Sequence, residues 1–144
     1  MEQNFQPTAK GAENYFMAKM TYTTGPVETK AMLDNGEDVM VVDVRAAQDY
    51  AKGHVPGAIS LPQGKWSSFK GLSPNRKNVL YCYSHVCHLA AKAAVLFAGK
   101  GIPVMEMDGG FQAWKENHLP VIYAEDQAPG AVERLKDMAQ DILR

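Results

Sequence analysis

The sequence predicts an α/β domain, a central parallel sheet flanked by helices on both faces. Two apolar runs, DVMVVDV at 38–44 and KNVLYCY at 77–83, have the composition of strands that are buried on both sides. The alanine-rich segment HLAAKAAVLFAGKG at 88–101 has helical spacing and precedes a third apolar run, IPVMEMD at 102–108. Because strands alternate with helices along the chain, parallel pairing is expected.

The sequence of the N-terminal quarter predicts an arm, a strand and a helix. Residues 1–19 are polar with scattered aromatic side chains and are interpreted as an N-terminal arm. MTYTT at 20–24 alternates and is rich in β-prone residues, so a strand is expected there. A helix follows, opened by Pro26 and stopped by Gly36. The residues of this helix expected to face the core are Val27, Ala31 and Leu33.

Shorter elements complete the prediction. A short helix at 46–53 follows the first buried strand, and GGFQAWKENH at 109–118 is a turn that leads into a helix. The segment 125–144 is predicted to be a separate amphipathic helix, which leaves 20–124 as the main domain. Its apolar face is formed by Val132, Leu135, Met138, Ala139 and Ile142.

Composition restricts the classes of function. The chain has 144 residues, 46% of them hydrophobic, which suits one domain with a real core. The net charge of -1 does not suggest a nucleic-acid or membrane partner, and no apolar run approaches the roughly 20 residues of a membrane span. The N-terminus lacks the pattern of a signal peptide, so a cytoplasmic location is expected.

The two cysteines of the chain, Cys82 and Cys87, share one short segment. A disulfide between them would close almost no loop, so the pair is a poor structural staple. In a reducing compartment such a pair is more often reactive or metal-binding.

The position of Cys82 favours a nucleophile. It ends a predicted strand, and ligands of open α/β sheets bind at the carboxyl ends of strands. The turn at 83–87 would point backbone N–H groups inward as an anion-binding nest, and the helix that starts near His88 would add its positive end. These features predict a lowered pKa and a thiolate at Cys82. The alternative, a small core residue at a strand end, stays open on position alone.

Two separated stretches resemble the rhodanese family of sulfurtransferases. VVDVRAAQDYAKGHVPGAISLP at 41–62 resembles the first family signature. VLYCYSHVCHLAAKAAVLFAGKGIPVMEMDGGFQAW at 79–114 resembles the second, with its strand, loop cysteine, helix, third strand and Gly-Gly-Phe ending. The similarity covers about 20–123 and implies the rhodanese fold.

The resemblance implies a persulfide cycle. Cys82 would take a sulfane sulfur from a donor such as thiosulfate and pass it to cyanide or a thiol. The other residues of the six-residue active loop would bind substrate through their amides. They are Tyr83, Ser84, His85, Val86 and Cys87. No cofactor is expected. The partners expected are a small-molecule sulfur donor and a thiol acceptor, and the chain is expected to be a monomer or homodimer.

Two loop positions depart from the family pattern. His85 stands where glycine is frequent, and Cys87 stands where arginine, threonine or serine is frequent. Cys87 lacks the guanidinium or hydroxyl that would hold an anionic donor. It has the chemistry to attack a persulfide or an oxidised form of Cys82, releasing sulfide or forming a disulfide. We therefore hypothesise a thiol-dependent carrier or a redox-responsive variant.

Supporting roles are assigned to Asp43, Arg45 and His88. Arg45 is expected to pair with Asp43 or Asp49 and to brace the loop region. His85 and His88 would lower the pKa of a nearby cysteine when protonated. Turn-fixing and packing residues are predicted to be His54, Gly109, Gly110, Phe111 and Trp114.

The same loop has three alternative functional interpretations. A phosphatase of the related fold needs arginine six positions after the cysteine, where this chain has His88. Four zinc ligands from the short run Cys82–His88 would not converge tetrahedrally, although soft-metal binding by the two thiols remains open. The third alternative is a catalytically weak redox sensor or interaction module on the same fold.

Overall fold

The computed structural model describes residues 6–127, and it contains five helices and seven strands within that range. The helices are α1 (Ala9–Tyr22), α2 (Pro26–Asp34), α3 (Ala47–Lys52), α4 (Leu89–Gly99) and α5 (Gly110–Glu116). The strands are β1 (Thr23–Thr24), β2 (Val39–Asp43), β3 (Gly53–His54), β4 (Ile59–Ser60), β5 (Lys77–Tyr81), β6 (Val104–Met107) and β7 (Ile122–Tyr123). Short 3-10 helices cover Gln63–Ser68 and Ala124–Gln127. The helix predicted at 125–144 lies almost wholly outside the described residues.

Five strands form one parallel sheet in the order β1-β6-β5-β2-β4. The register places Asp43, the last residue of β2, beside Tyr81, the last residue of β5. Strands β3 and β7 form a separate antiparallel pair. The predicted parallel α/β fold is confirmed. The carboxyl ends of the three central strands therefore meet at one edge of the sheet.

The sheet has an apolar core on each face. Alternate residues of β2 and β5 point to opposite sides, as the pleat of a strand requires. One core packs under α4 and contains Val42, Val44, Leu61, Trp66, Leu80, Cys82, Ala90, Ala93 and Phe97. The other packs against α5 and contains Val41, Val55, Ala58, Val79, Tyr81, Met107, Phe111 and Trp114. Cys82 is thus built into the base of one core.

The strand predicted at 20–24 is largely wrong, because α1 continues to Tyr22 and only Thr23–Thr24 pairs with β6. The helix starts at Thr8, whose hydroxyl accepts a hydrogen bond from the N–H of Gly11 at 3.0 Å. The alternation in MTYTT has no buried face to satisfy, since Met20 is 81% exposed. Local polar-apolar alternation without a core to face does not specify a strand.

The core face predicted for α2 is partly wrong. Val27 and Ala31 are exposed, whereas Leu33 is half-buried and packs against the core under α5. The fully buried residue of the helix is Thr29, whose hydroxyl donates to the carbonyl of Gly25 at 2.7 Å. That internal hydrogen bond allows a polar side chain to occupy the core-facing position.

Among residues 6–127, no helix has the length and apolar character that crossing a membrane requires.

Candidate active site

Cys82 lies at the floor of the loop between β5 and α4. Its side chain is buried, and its thiol donates a hydrogen bond to the carbonyl of Cys87 at 3.4 Å. The loop closes on itself through the N–H of Cys87, which donates to the carbonyl of Ser84 at 3.1 Å. The chain therefore curls around the sulfur of Cys82, and both cysteines are free thiols.

The start of α5 fixes the outer side of this loop. The N–H groups of Phe111 and Gln112 donate to the carbonyls of Cys82 and Tyr83, at 2.8 and 3.0 Å. With these carbonyls held outward, the N–H of Tyr83 faces the sulfurs, and the first-turn N–H groups of Leu89 and Ala90 do the same. Of these three N–H groups, only that of Tyr83 belongs to the turn at 83–87 where the nest was predicted, and the other two come from the start of α4.

Ionisation of the cysteine pair differs from the prediction. Burial raises the pKa of Cys82 to about 11, with a further contribution from its hydrogen bond and charge interaction with Cys87. Burial also acts to raise the pKa of Cys87, but the hydrogen bond with Cys82 and the N–H groups of Leu89 and Tyr83 outweigh it, so this pKa is lowered. The direction of the Cys82 shift is therefore opposite to the predicted lowering, while the pKa of Cys87 moves down. Two coupled thiols lose one proton readily and the second reluctantly.

This coupling predicts opposite titration shifts in the two single variants. Cys82→Ala removes the hydrogen bond that lowers the pKa of Cys87, so Cys87 should titrate at higher pH than the first step of the wild type. Cys87→Ala removes two contributions that raise the pKa of Cys82, which should fall below about 11 while burial keeps it elevated. Ultraviolet absorbance of the thiolate against pH measures both. A first step at lower pH in Cys82→Ala would contradict the assignment.

A small pocket of about 140 Å³ opens above the two thiols. It is lined by Lys19, Cys82, Ser84, His85, Cys87, Glu106, Met107, Asp108 and Gly109. Of the predicted loop residues, the structure brings Ser84, His85 and Cys87 together here. The side chain of Val86 is 73% exposed at the loop tip and contributes no lining.

The Tyr83 side chain anchors the loop to the start of α3 and does not line the pocket. Its hydroxyl donates to the carboxylate of Asp49 and accepts the N–H of Ala46 at 3.2 Å. Both partners belong to the start of α3 and its preceding residue. Tyr83 therefore faces the sulfurs with its backbone N–H and not with its side chain.

Asp43 and Arg45 form a buried ion pair beneath the loop. Arg45 Nη2 lies 2.7 Å from Asp43 Oδ2, and the Tyr81 hydroxyl donates to the same oxygen at 2.7 Å. Arg45 Nη2 also donates to the carbonyl of Gly53 at 2.6 Å, and its guanidinium stacks 4.1 Å from the ring centre of Phe111. The predicted pairing with Asp43 is confirmed. The pair lies outside the pocket and braces the residue that precedes Cys82.

Four pocket residues were not singled out from the sequence: Met107 and the three charged residues Lys19, Glu106 and Asp108. Asp108 follows β6 directly, so the strand-end rule that selected Cys82 could have found it. Burial raises the pKa of Glu106, and the charge of Asp108 adds to the shift while His88 opposes it. Lys19 lies on α1, and no local pattern relates it to the loop.

The histidines and the remaining predicted structural residues occupy defined places. His88 caps α4 and lies near Glu106. His54 Nδ1 donates a hydrogen bond to the carbonyl of Tyr50 at 2.9 Å, and its imidazole stacks on the ring of Tyr50. Trp114 is fully buried. Within residues 6–127, no three histidine, cysteine or carboxylate side chains are grouped so as to hold a metal ion.

Residues 25–117 match the family described as the rhodanese-like domain. The chain belongs to this family. Thiosulfate sulfurtransferase GlpE of Pseudomonas putida is 32% identical over 110 residues, which cover 75% of this chain and 94% of that protein. The crystal structure of the BH2092 protein from Bacillus halodurans superposes with a TM-score of 0.75 at 33% identity, covering 81% of this chain and 88% of the other.

The same domain is also similar to part of a longer protein. The HTH-type transcriptional regulator Rv0324 of Mycobacterium tuberculosis is 34% identical over 85 residues, which cover 58% of this chain and 38% of the regulator. The chain thus spans well under half of that relative. Relatives that it covers nearly end to end bear the name thiosulfate sulfurtransferase, so the family is of the sulfurtransferase enzyme type.

Proposed function

We propose that this protein carries sulfane sulfur as a persulfide on Cys82 and passes it to a thiol or cyanide acceptor, with Cys87 as the resolving thiol. The observation that carries the proposal is the loop geometry. The buried thiol of Cys82 lies beside backbone N–H groups at the floor of the loop and donates a hydrogen bond to the carbonyl of the second cysteine, Cys87. The partners proposed are a small-molecule sulfur donor and a thiol, with the protein acting as a monomer or homodimer.

Loading would proceed through the thiolate of Cys82. The thiolate of the neighbouring Cys87 would act as the base that takes the proton of Cys82, which overcomes the raised pKa of Cys82. Cys82 then attacks the sulfane sulfur of the donor. With thiosulfate, the new bond joins Cys82 Sγ to this sulfur, the sulfur–sulfur bond of the donor breaks, and sulfite leaves with the electron pair. The N–H groups of the nest would stabilise the resulting persulfide anion.

Unloading has two routes. An external thiolate attacks the outer sulfur, forms its own persulfide and releases Cys82 as thiolate. Alternatively, Cys87 attacks Cys82 Sγ, which forms a Cys82–Cys87 disulfide and expels hydrosulfide. Two equivalents of a small thiol then reduce the disulfide and are themselves oxidised to a disulfide. The second route depends on Cys87, which has a thiol in place of the guanidinium or hydroxyl that would hold an anionic donor.

Intact-mass measurement tests the proposal. Reduced protein is incubated separately with thiosulfate and with glutathione persulfide. The wild type and Cys87→Ser should gain one sulfur atom, whereas Cys82→Ser should gain none. The adduct should persist at least about tenfold longer in Cys87→Ser, because the internal attack is lost.

Other outcomes separate the alternatives. Absence of an adduct with either donor would remove the transferase function and leave the redox-sensor alternative, in which oxidation directly joins the two cysteines. Equal adduct lifetimes in the wild type and Cys87→Ser would remove the resolving role of Cys87 but keep the carrier role of Cys82.

A further inference from the structure

The pocket above the thiols contains charges of both signs. The ammonium of Lys19 comes from α1, and the carboxylates of Glu106 and Asp108 come from β6 and the residue after it. Within the part of the chain that the structure describes, Lys19 has no ion-pair partner within 4.0 Å, and neither has either carboxylate. Residues of opposite charge therefore line the same small space without forming an ion pair with each other.

The size of the pocket limits the ligands that can bind to these charged residues. Its volume of about 140 Å³ is well below the roughly 300–1,000 Å³ of pockets that enclose drug-sized ligands. Glu106 is half-buried, so its charge is screened less by water than that of a fully exposed carboxylate. The imidazole of His85 is a further polar group at the opening. A small molecule with both a positive and a negative group complements this lining.

We propose that the pocket selects a small zwitterionic thiol, an amino-acid thiol of the cysteine type, as the acceptor of the sulfur. Its carboxylate pairs with Lys19, its ammonium pairs with Glu106 and Asp108, and its thiol reaches the persulfide of Cys82. The acceptor thiolate bonds to the outer sulfur, the bond to Cys82 Sγ breaks, and Cys82 leaves as thiolate. This inference rests on the proposed function and assigns a substrate-binding role to α1.

Three thiols test the two halves of the recognition. L-cysteine has both charged groups, cysteamine lacks the carboxylate, and 3-mercaptopropionate lacks the ammonium. Each is added to the preformed persulfide of the wild-type protein. Loss of the persulfide is followed by mass, corrected for loss without added thiol and expressed per concentration of thiolate. L-cysteine should react about fivefold faster than either truncated thiol, the scale of one partly exposed ion pair.

Charge-removing variants identify the partner of each group. Lys19→Gln should lower the rates of persulfide loss with L-cysteine and with 3-mercaptopropionate about fivefold. The rate with cysteamine should change by less than twofold. The double variant Glu106→Gln/Asp108→Asn should lower the rates of persulfide loss with L-cysteine and with cysteamine. The rate with 3-mercaptopropionate should be unchanged. The matched control is Lys10→Gln on the same helix, whose lysine pairs with Glu13 at 2.7 Å, and it should change none of the three rates.

Two results would overturn the inference: equal rates for the three thiols, or a uniform slowing of all three by Lys19→Gln, which would indicate a structural role. Binding of the unreactive analogue S-methylcysteine, followed by NMR shifts of the loop amides, separates this inference from the proposed function. If no persulfide forms but the analogue binds in a Lys19-dependent manner, only the sulfur-transfer proposal fails. If neither occurs, both fail.

Discussion

Gly110→Ala is expected to lower the free energy of unfolding by about 3 kcal/mol and to displace the active loop, since backbone strain and overpacking act together. Gly110 has a φ of +62°, and an added Cβ would lie 2.7 Å from the carbonyl oxygen of Cys82 and 2.7 Å from the nitrogen of Ser84. Both neighbours are backbone atoms of the loop, so no side chain can rotate away. Relief requires the loop to move off α5, which breaks the hydrogen bonds that hold its carbonyls outward.

Gly101→Ala is the matched control for this prediction. Gly101 has a φ of +82°, but an added Cβ there meets nothing within 4 Å. Gly101→Ala should lower the free energy of unfolding by about 1 kcal/mol, because only backbone strain acts there. Urea denaturation measures both losses, and the rate of persulfide loading on Cys82 reports the loop position. Equal stability losses, or normal loading in a destabilised Gly110→Ala protein, would contradict close packing of the loop on α5.

The sheet and its central site could be predicted because their signals are local. The runs ending at Asp43 and at Tyr81 are apolar on both pleat faces, which is typical of central parallel strands. The rule that ligands bind at strand ends then selects Cys82 directly. The pairing of Arg45 with Asp43 was also accessible, since Arg45 lies only two residues beyond Asp43, the last residue of β2.

The chemical state of the site could not be predicted in the same way. The strand-to-helix turn implies N–H groups around Cys82, which would lower its pKa, and these groups are present. The depth at which the sulfur is buried depends on tertiary packing, which the local pattern does not specify. Burial and the neighbouring cysteine raise the pKa of Cys82, opposite to the expected direction.

Lys19 illustrates the other limit of sequence reasoning. It reaches the pocket because α1 is continuous to Tyr22 and ends in β1, which pairs with β6 at the edge of the sheet. The interpretation of 20–24 as a strand would have separated residue 19 from the domain. Residues 20–22 belong to α1 and not to a strand, and this difference changes which charges surround Cys82. The end of the helix is set by the tertiary pairing of β1 with β6, which local propensity does not specify.

Asp43→Asn is expected to lower the free energy of unfolding by about 3–5 kcal/mol, the scale for leaving one partner of a buried ion pair uncompensated. The Asp43 side chain is fully buried and accepts from both Arg45 and the Tyr81 hydroxyl. An amide keeps one acceptor oxygen but removes the charge, so the guanidinium of Arg45 remains buried without an anionic partner, although the Gly53 and Asp49 carbonyls still accept from it. The matched control is Glu13→Gln, which breaks the exposed pair with Lys10 and should have little effect.

A double-mutant cycle separates the ion pair from the tyrosine hydrogen bond. Tyr81→Phe alone removes one donor to Asp43 and should cost about 1–2 kcal/mol. If the carboxylate holds Tyr81 in place, the double variant should be less destabilised than the sum of the two single variants. Because Tyr81 directly precedes Cys82, the same variants should slow persulfide loading in the order of their effect on stability. Additive stability losses with unchanged loading would show that the ion pair and the nucleophile are independent, which the shared oxygen of Asp43 argues against.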